Sequence, residues 1–131
     1  MIRYNWNNPD FLHIHFAGNV SGEDLVSCAL EISGDERFDY THFVLGDWSQ
    51  YRHANVSQEN VRRLVAVMKA VCQITPNVKN ATVIRPDNTG NALFALYKML
   101  ADELPWQIEI FHSLEEAYDW FGISVPCDLS C

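Results

Sequence analysis

The chain has 131 residues, of which 48% are hydrophobic, and a formal net charge of −8. One domain of this length buries roughly two thirds of the surface that its unfolded chain exposes. The acidic balance argues against binding to nucleic acid and against docking on anionic membranes, because both need a basic face. The sequence has no run of about 20 apolar residues that could span a bilayer and no apolar signal-peptide region. We therefore expect a cytoplasmic protein without a transmembrane segment.

The cysteines are few and widely spaced. None of the four forms a CxxC pair, and Cys28 and Cys72 fall inside helical patterns, where thiols act as small apolar residues. Cys127 and Cys131 could pair with each other near the end of the chain, but no second cluster accompanies them. We expect reduced thiols and no cofactor.

The chain opens with the pattern of a β-hairpin. The segments 2–6 and 11–18 are separated by "NNPD", a turn signal of asparagine, proline and aspartate. The second segment alternates, with Leu12, Ile14 and Phe16 on one face and His13 and His15 on the other. This alternation predicts an antiparallel pair with one wetter face.

Helical and extended patterns alternate through the rest of the chain. Helices are predicted after Ser21, after Ser57, around Leu93–Leu100 and after Ser113, the last one ending at Gly122. Strands are predicted over 40–48, 78–86 and 106–112. The order β-β-α-β-α-β-α-β-α predicts an α/β fold with a mostly parallel five-stranded sheet and an antiparallel N-terminal hairpin at its edge.

Polar residues gather after the predicted strands, and the segment 46–58, "GDWSQYRHANVSQ", is interpreted as a long polar loop. Ligands of open parallel sheets bind outside the carboxyl ends of the strands. The sequence therefore predicts a binding or regulatory surface there, although the same residue types also serve as ordinary helix caps. Its candidate residues are Asp47, Ser49, Arg52, His53, Asn55, Ser57, Arg85, Asp87, Asn88 and Thr89, with His112 and Ser113 after the last strand.

The element order, the strand end "VLGDWS" and the closing "IEIFHSLEEAYDWF" resemble the SpoIIAA-like, or STAS, fold family. The chain is most similar to small stand-alone bacterial members of unassigned function. The resemblance extends to about Gly122, which implies one STAS-like domain over 1–122 and a short tail over 123–131. It rests on pattern more than on invariant residues.

The resemblance implies a function without catalysis. Anti-sigma factor antagonists of this family bind a serine-kinase partner, which phosphorylates a serine at the start of the helix after the third strand. Their motif, Asp-Leu-Ser and then Asp-Ser-Ser-Gly, resembles Asp47-Trp48-Ser49 and Asn55-Val56-Ser57-Gln58, which places Ser57 at the modified position. Asn55, Val56 and Gln58 depart from it, so the phosphoserine motif is degraded. Ser57 is either a regulatory site or only a helix cap.

Other constellations are weaker. His13 and His15 share a strand face and His42 follows on another strand, but no cysteine or acidic residue completes a metal set at a recognisable spacing. We therefore expect solvated or partly packed histidines and no metal. No nucleophile elbow and no glycine-rich phosphate loop is present. These absences favour a protein that is not an enzyme.

Two functions follow from the sequence. The first is a regulatory module that binds a protein partner, similar to anti-sigma factor antagonists, with a homodimer as a further expectation. The alternative is a small apolar-ligand, lipid-like binding protein of the related CRAL-TRIO type, which needs a cavity between sheet and helices. A chain of 131 residues offers little material for such a cavity, and the sequence leaves open whether an apolar pocket exists.

Overall fold

A computed structural model of the chain describes residues 1–85 and 91–124. It contains five strands, four α-helices and one short 3-10 helix. Their bounds, in chain order, are β1 Ile2–Asn8, β2 Phe11–Ser21, α1 Gly22–Ser33, the 3-10 helix Glu36–Tyr40, β3 Phe43–Asn55, α2 Gln58–Cys72, β4 Lys79–Val83, α3 Asn91–Ala101, β5 Gln107–Phe111 and α4 Leu114–Phe121.

The strands form one sheet in the order β1-β2-β3-β4-β5. β1 and β2 are antiparallel, whereas the pairs β2–β3, β3–β4 and β4–β5 are parallel. The predicted α/β fold with an antiparallel N-terminal edge is thus confirmed. A parallel strand must be reached by a crossover, and the helices between the parallel strands provide these crossovers.

The predicted polar loop over 46–58 is wrong, because most of it is strand. β3 continues to Asn55 and stays paired with β2, which itself extends to Ser21. Tyr51 is buried within this extension. A shift in pairing lies between Gly18 and the residue after it, and Gly18 has a positive φ of 62°. The irregularity breaks the apolar-polar alternation that would indicate a strand. The sequence of this segment therefore resembles a loop, although its backbone is hydrogen-bonded as a strand.

Helix ends follow the predicted capping. Ser21, Ser57 and Ser113 are the N-caps of α1, α2 and α4, and each side-chain oxygen accepts a hydrogen bond from a backbone N–H of the first turn. Gly122 ends α4 in the left-handed conformation, with φ 80°. The predicted start of the third strand at residue 40 is wrong, because residues 36–40 form the 3-10 helix that Asp35 caps.

The helices cover the two faces of the sheet unequally. α1, α2 and α3 lie on one face, over Leu12 and Val44. α4 lies on the other face, where Tyr118 and Phe121 pack against Phe11 and its neighbours. The single helix on this second face contacts chiefly β3, β4 and β5. Phe11 at the start of β2 packs under this helix, and the two strand histidines follow it on the same face of β2.

Two further predictions can be compared with the fold. Cys28 and Cys72 are free, as expected, and burial raises the pKa of the Cys28 thiol to about 11. Cys127 and Cys131 lie outside the described residues. Over the part of the chain that the structure covers, none of the helices is both long and apolar enough to cross a membrane.

Candidate functional site

The start of α2 is built around Ser57. Its hydroxyl accepts from the backbone N–H of Asn60 at 3.1 Å, and the Asn60 side-chain oxygen accepts from the Ser57 backbone N–H at 2.9 Å. The two residues thus form a reciprocal capping box. The Ser57 hydroxyl also donates to Asn60 Oδ1 at 2.8 Å. Both predicted roles of Ser57 remain physically possible, because the residue caps the helix and is exposed.

The neighbouring helix α1 holds this cap in place. Asn60 Nδ2 lies 3.5 Å from Glu23 Oε1, and Arg63 donates to the same oxygen at 3.1 Å. Gly22 lies directly against the Asn60 side chain, and a Cβ at residue 22 would overlap its amide. The first turns of α1 and α2 are therefore packed together through Asn60, and any change of the Asn60 orientation affects both helices.

Four of the predicted site residues are exposed within the segment 52–57 that leads from β3 into α2. Arg52, His53 and Asn55 are exposed along the last part of β3, and Ser57 follows them. We call these four residues the Ser57 surface. It presents one cation, one imidazole and two short polar groups next to the positive end of a helix dipole, a combination that favours an anionic or polar partner.

Asp47 and Ser49 do not belong to this surface. Asp47 is 6% exposed and lies within β3 on the α4 face of the sheet. Its Oδ1 accepts from the Ser49 backbone N–H at 2.9 Å and from the Ser49 hydroxyl at 2.6 Å. Burial alone would raise the pKa of Asp47, but His13 and the two Ser49 hydrogen bonds outweigh it and hold the pKa at about 2. The carboxylate is therefore ionised inside the sheet face.

The other predicted residues are scattered. The Arg85 guanidinium lies 4.7 Å from the centre of the Tyr51 ring, a cation–π contact at the end of β4. Asp87, Asn88 and Thr89 lie outside the described residues. Ser113 caps α4 and His112 is exposed beside it. Of the predicted residues that fall within 1–85 and 91–124, four therefore lie together in one short segment of the chain, the Ser57 surface.

A cluster that the sequence interpretation missed lies around Asp47. The His13 ring, predicted on a wetter face, is 1% exposed and stacks on the His15 ring at 3.8 Å. Asp47 Oδ2 lies 3.9 Å from His13 Nε2 and 3.9 Å from His15 Nδ1. His42 stands apart, with Nδ1 3.4 Å from Asp10 Oδ2. The acidic partner of the strand histidines thus comes from β3, which the sequence spacing could not indicate.

The electrostatics of this cluster favour a neutral His15. Burial lowers the pKa of His15, and nearby His13 lowers it further, while Asp47 acts in the opposite direction. The His15 side chain is 33% exposed, so one edge of the cluster is open to solvent. The arrangement combines one ionised carboxylate with two imidazoles on adjacent strands.

The second feature is an apolar cavity of about 250 Å³ between the sheet and the helices α1–α3, the place where the alternative lipid-like function needs one. Its walls include Phe16 and Trp48 from the sheet and Cys28 and Leu64 from the helices. Polar groups are few, and Asn80 and Tyr97 are hydrogen-bonded to each other in the wall. This cavity has the lining of a site for an apolar molecule.

Comparisons with known proteins identify the fold. No family model matches the sequence, and no curated protein matches it. The Bacillus cell fate determinant SpoIIAA in its phosphorylated form is similar in structure, with a TM-score of 0.57 and 10% identity over 92% of this chain and 99% of that one. The anti-sigma factor antagonist SpoIIAA in its unphosphorylated form gives a TM-score of 0.59 and 12% identity over 93% and 98% of the two chains. The chain has the SpoIIAA-like, or STAS, fold, as its sequence predicted.

Proposed function

We propose that the chain is a non-enzymatic, cytoplasmic regulatory module that binds a protein partner through the Ser57 surface. The observation that supports this proposal most directly is the exposed serine at the start of α2 in a SpoIIAA-like fold. One structural neighbour is described as an anti-sigma factor antagonist, and another is a phosphorylated form. We extend both properties to this chain as a proposal, with a serine-kinase-type regulator as the partner.

The capping box gives the modification a structural effect. A phosphate on Ser57 adds a charge of about −1.5 to −2 next to the positive end of the α2 dipole, where it is tolerated in the folded state. The esterified oxygen can no longer donate to Asn60 Oδ1, a bond that now measures 2.8 Å. If the Asn60 amide turns its NH₂ group toward the phosphate, it gives up the bond from the Ser57 backbone N–H at 2.9 Å and the capping box opens.

Rotation of Asn60 would reach beyond the modified residue. The Asn60 side chain contacts Glu23 and packs against Gly22, so its new orientation changes the surface shared by α1 and α2. Phosphorylation would therefore alter both the charge and the shape of the Ser57 surface. A partner that buries this surface would lose affinity, because a desolvated charge without a counter-charge is costly.

The first test compares serine variants at two helix caps. Ser57→Asp mimics the added charge and still caps the helix, so its unfolding free energy should stay within about 0.5 kcal/mol of the wild type. Ser57→Ala should lose about 0.5–2 kcal/mol because it leaves the first-turn N–H groups without an acceptor. Ser113→Asp places the same charge on the matching cap of α4 and is the control. Each tagged protein is used for affinity purification from extracts of the native cells.

The proposal expects one partner that the wild type, Ser57→Ala and Ser113→Asp recover and that Ser57→Asp loses. Mass spectrometry of the protein from native cells should also detect a phosphopeptide that contains Ser57. If all four proteins recover the same partners in equal amounts, regulation at Ser57 is wrong and the residue is only a cap. If none recovers a partner above the background of an unrelated acidic domain, partner binding itself is wrong.

The cavity favours a second candidate function, the binding of a small apolar ligand. An engineered apolar cavity of about 150 Å³ already binds benzene, and drug-sized ligand sites begin at about 300 Å³. The volume of about 250 Å³ thus suits a one-ring or two-ring molecule or a short acyl chain rather than a long-chain lipid. The lipid-like hypothesis is therefore restricted to small apolar ligands of this size.

Native mass spectrometry tests this second function. The wild type purified from its native cells should carry an apolar adduct that denaturation releases. Ala29 lies in the cavity wall, and Ala29→Leu should remove the adduct because three added carbon atoms occupy part of the space. Ala66→Leu makes the same change at an exposed position of α2 and should retain the adduct. A wild type without any adduct, or equal adducts in both variants, would show that the cavity carries no ligand.

A further inference from the structure

The cluster of His13, His15 and Asp47 has the composition of a metal site. Two imidazole nitrogens and one carboxylate oxygen lie within 4.8 Å of one another, although they come from separate strands. Histidine nitrogen and aspartate oxygen are common ligands of zinc and of other divalent transition metals. None of the three side chains takes part in the Ser57 surface, so the two proposals are independent.

Burial is the second observation that points to a bound cation. His13 is 1% exposed, and its Nε2 has no hydrogen-bond partner among the described residues. The distance of 3.9 Å to Asp47 Oδ2 is too long for a hydrogen bond. A buried polar atom without a partner is costly, and the cost is removed when a ligand occupies the space that the atom faces. His13 Nε2 and Asp47 Oδ2 face the same space.

The carboxylate is already held in the orientation that a metal ligand needs. Ser49 donates two hydrogen bonds to Oδ1, which leaves Oδ2 directed toward the two histidines. Hydrogen bonds to the outer atoms of a ligand fix its direction and are a regular feature of metal centres. His42 offers a contrast, because its nearest carboxylate is exposed and no third donor accompanies the pair.

We propose that His13, His15 and Asp47 bind one divalent transition metal ion, with Zn²⁺ as the ion that fits best. Zinc lies about 2.0–2.2 Å from nitrogen and oxygen ligands, so two ligands of a tetrahedral site are about 3.4 Å apart. The separations of 3.9 Å must shorten by roughly half an ångström. The His15 ring must also turn out of its stack on His13, where the ring planes differ by 29°, so that both nitrogen lone pairs point at the ion, and the partly exposed His15 side chain has room to turn. The fourth position lies on the open side of His15 and takes a water molecule.

The proposed ion joins β2 to β3 at residues that face each other in the sheet, where His15 is paired with Asp47. The three ligands come together only in the folded chain, because the histidines and the aspartate are far apart in sequence. Binding therefore stabilises the native state by mass action. Zinc at about 100 times its dissociation constant should raise the Tm by roughly 5–10 °C.

The test uses the full chain, stripped with a chelator and kept reduced. Calorimetric titration with Zn²⁺ and absorption spectra with Co²⁺ are recorded for the wild type, His15→Ala and Asp47→Asn. Asp47→Asn keeps an oxygen that accepts from Ser49 and removes the charge. His42→Ala removes another histidine that stands beside a carboxylate and is the matched control. Thermal melts without metal establish that each variant is folded.

We expect one zinc ion per chain in the wild type and in His42→Ala, with affinity more than about 100-fold weaker in His15→Ala and Asp47→Asn. The cobalt form should show the visible bands of a four-coordinate site without sulfur-to-metal charge transfer. Equal affinities in all four proteins, or no binding by the wild type at millimolar zinc, would overturn the proposal. A charge-transfer band in the cobalt spectrum would also overturn it, because it would assign the metal to cysteines.

Discussion

Trp48→Ala is expected to lower the free energy of unfolding by about 3–5 kcal/mol, a large share of what a domain of this size has. Trp48 is 8% exposed and stacks on Phe16 with a ring separation of 4.0 Å. Its edges meet Tyr51 at 5.6 Å and Phe94 at 5.2 Å. Removal of the indole takes away all three aromatic contacts and enlarges a cavity that is already present. The surrounding side chains therefore cannot move in to fill the space, and the full cost of the larger cavity remains.

Trp120→Ala is the matched control for this variant. Trp120 lies on α4, is only partly buried, and contacts Phe111 and Phe121. Its loss should cost about 1–2 kcal/mol in urea denaturation followed by circular dichroism.

Free indole provides a second comparison of the two tryptophan variants. Indole should raise the Tm of Trp48→Ala, because it refills the space that the side chain vacated, and it should leave Trp120→Ala unchanged. Similar costs for the two variants would show that Trp48 does not support the cavity wall.

The sequence predicted those parts of the fold that depend on local physics. Ser21, Ser57 and Ser113 were identifiable as caps because a capping hydroxyl acts within its own turn. Gly122 was identifiable as a helix end for the same reason. The α/β order followed from hydrophobic periodicity, and this order with the right-handed crossover rule restricts the sheet to few arrangements.

The extension of β3 could not be predicted in this way. Whether residues 49–55 form a strand is decided by their pairing with β2, which continues to Ser21. Their composition resembles that of a loop because most of their side chains are exposed and a pairing shift interrupts the alternation. Strand propensity depends on neighbours in the sheet, and those neighbours are not visible in a short stretch of sequence.

Most of the candidate site could not be predicted either, because it depends on the register in which β2 pairs with β3. The sequence placed Asp47 with Ser57 because both fall in the segment 46–58 that was interpreted as a polar loop, but Asp47 lies within β3 opposite His15. A one-residue slip of β2 against β3 would turn the histidines to the cavity face, so the cluster exists only in the observed register. The cavity was unpredictable for a related reason, since its volume depends on the separation of packed layers and not on the identity of any one residue.

Asn80→Ala is the second variant with a large expected effect, a loss of about 2–4 kcal/mol. Asn80 is 5% exposed, its Nδ2 donates to the Val44 carbonyl at 3.2 Å, and its Oδ1 accepts from the Tyr97 hydroxyl. Burial raises the pKa of Tyr97 well above its ordinary value, so the phenol stays neutral and remains a donor. The alanine variant removes the acceptor of the Tyr97 hydroxyl and the donor to Val44.

A double-mutant cycle in urea separates this network from simple packing. Tyr97→Phe should cost about 1–2 kcal/mol, and Asn80→Ala should cost about 1–2 kcal/mol less in the Tyr97→Phe background, because the hydroxyl that it would strand is already absent. Tyr4→Phe is the control, since the Tyr4 hydroxyl donates at 2.9 Å to the exposed Glu31 and its loss should cost less than about 0.5 kcal/mol. Additive costs for Asn80 and Tyr97 would mean that the two side chains do not depend on each other. Coupling would identify them as the fixed polar anchor of an otherwise apolar cavity, the position where a ligand with one hydrogen-bonding group would be oriented.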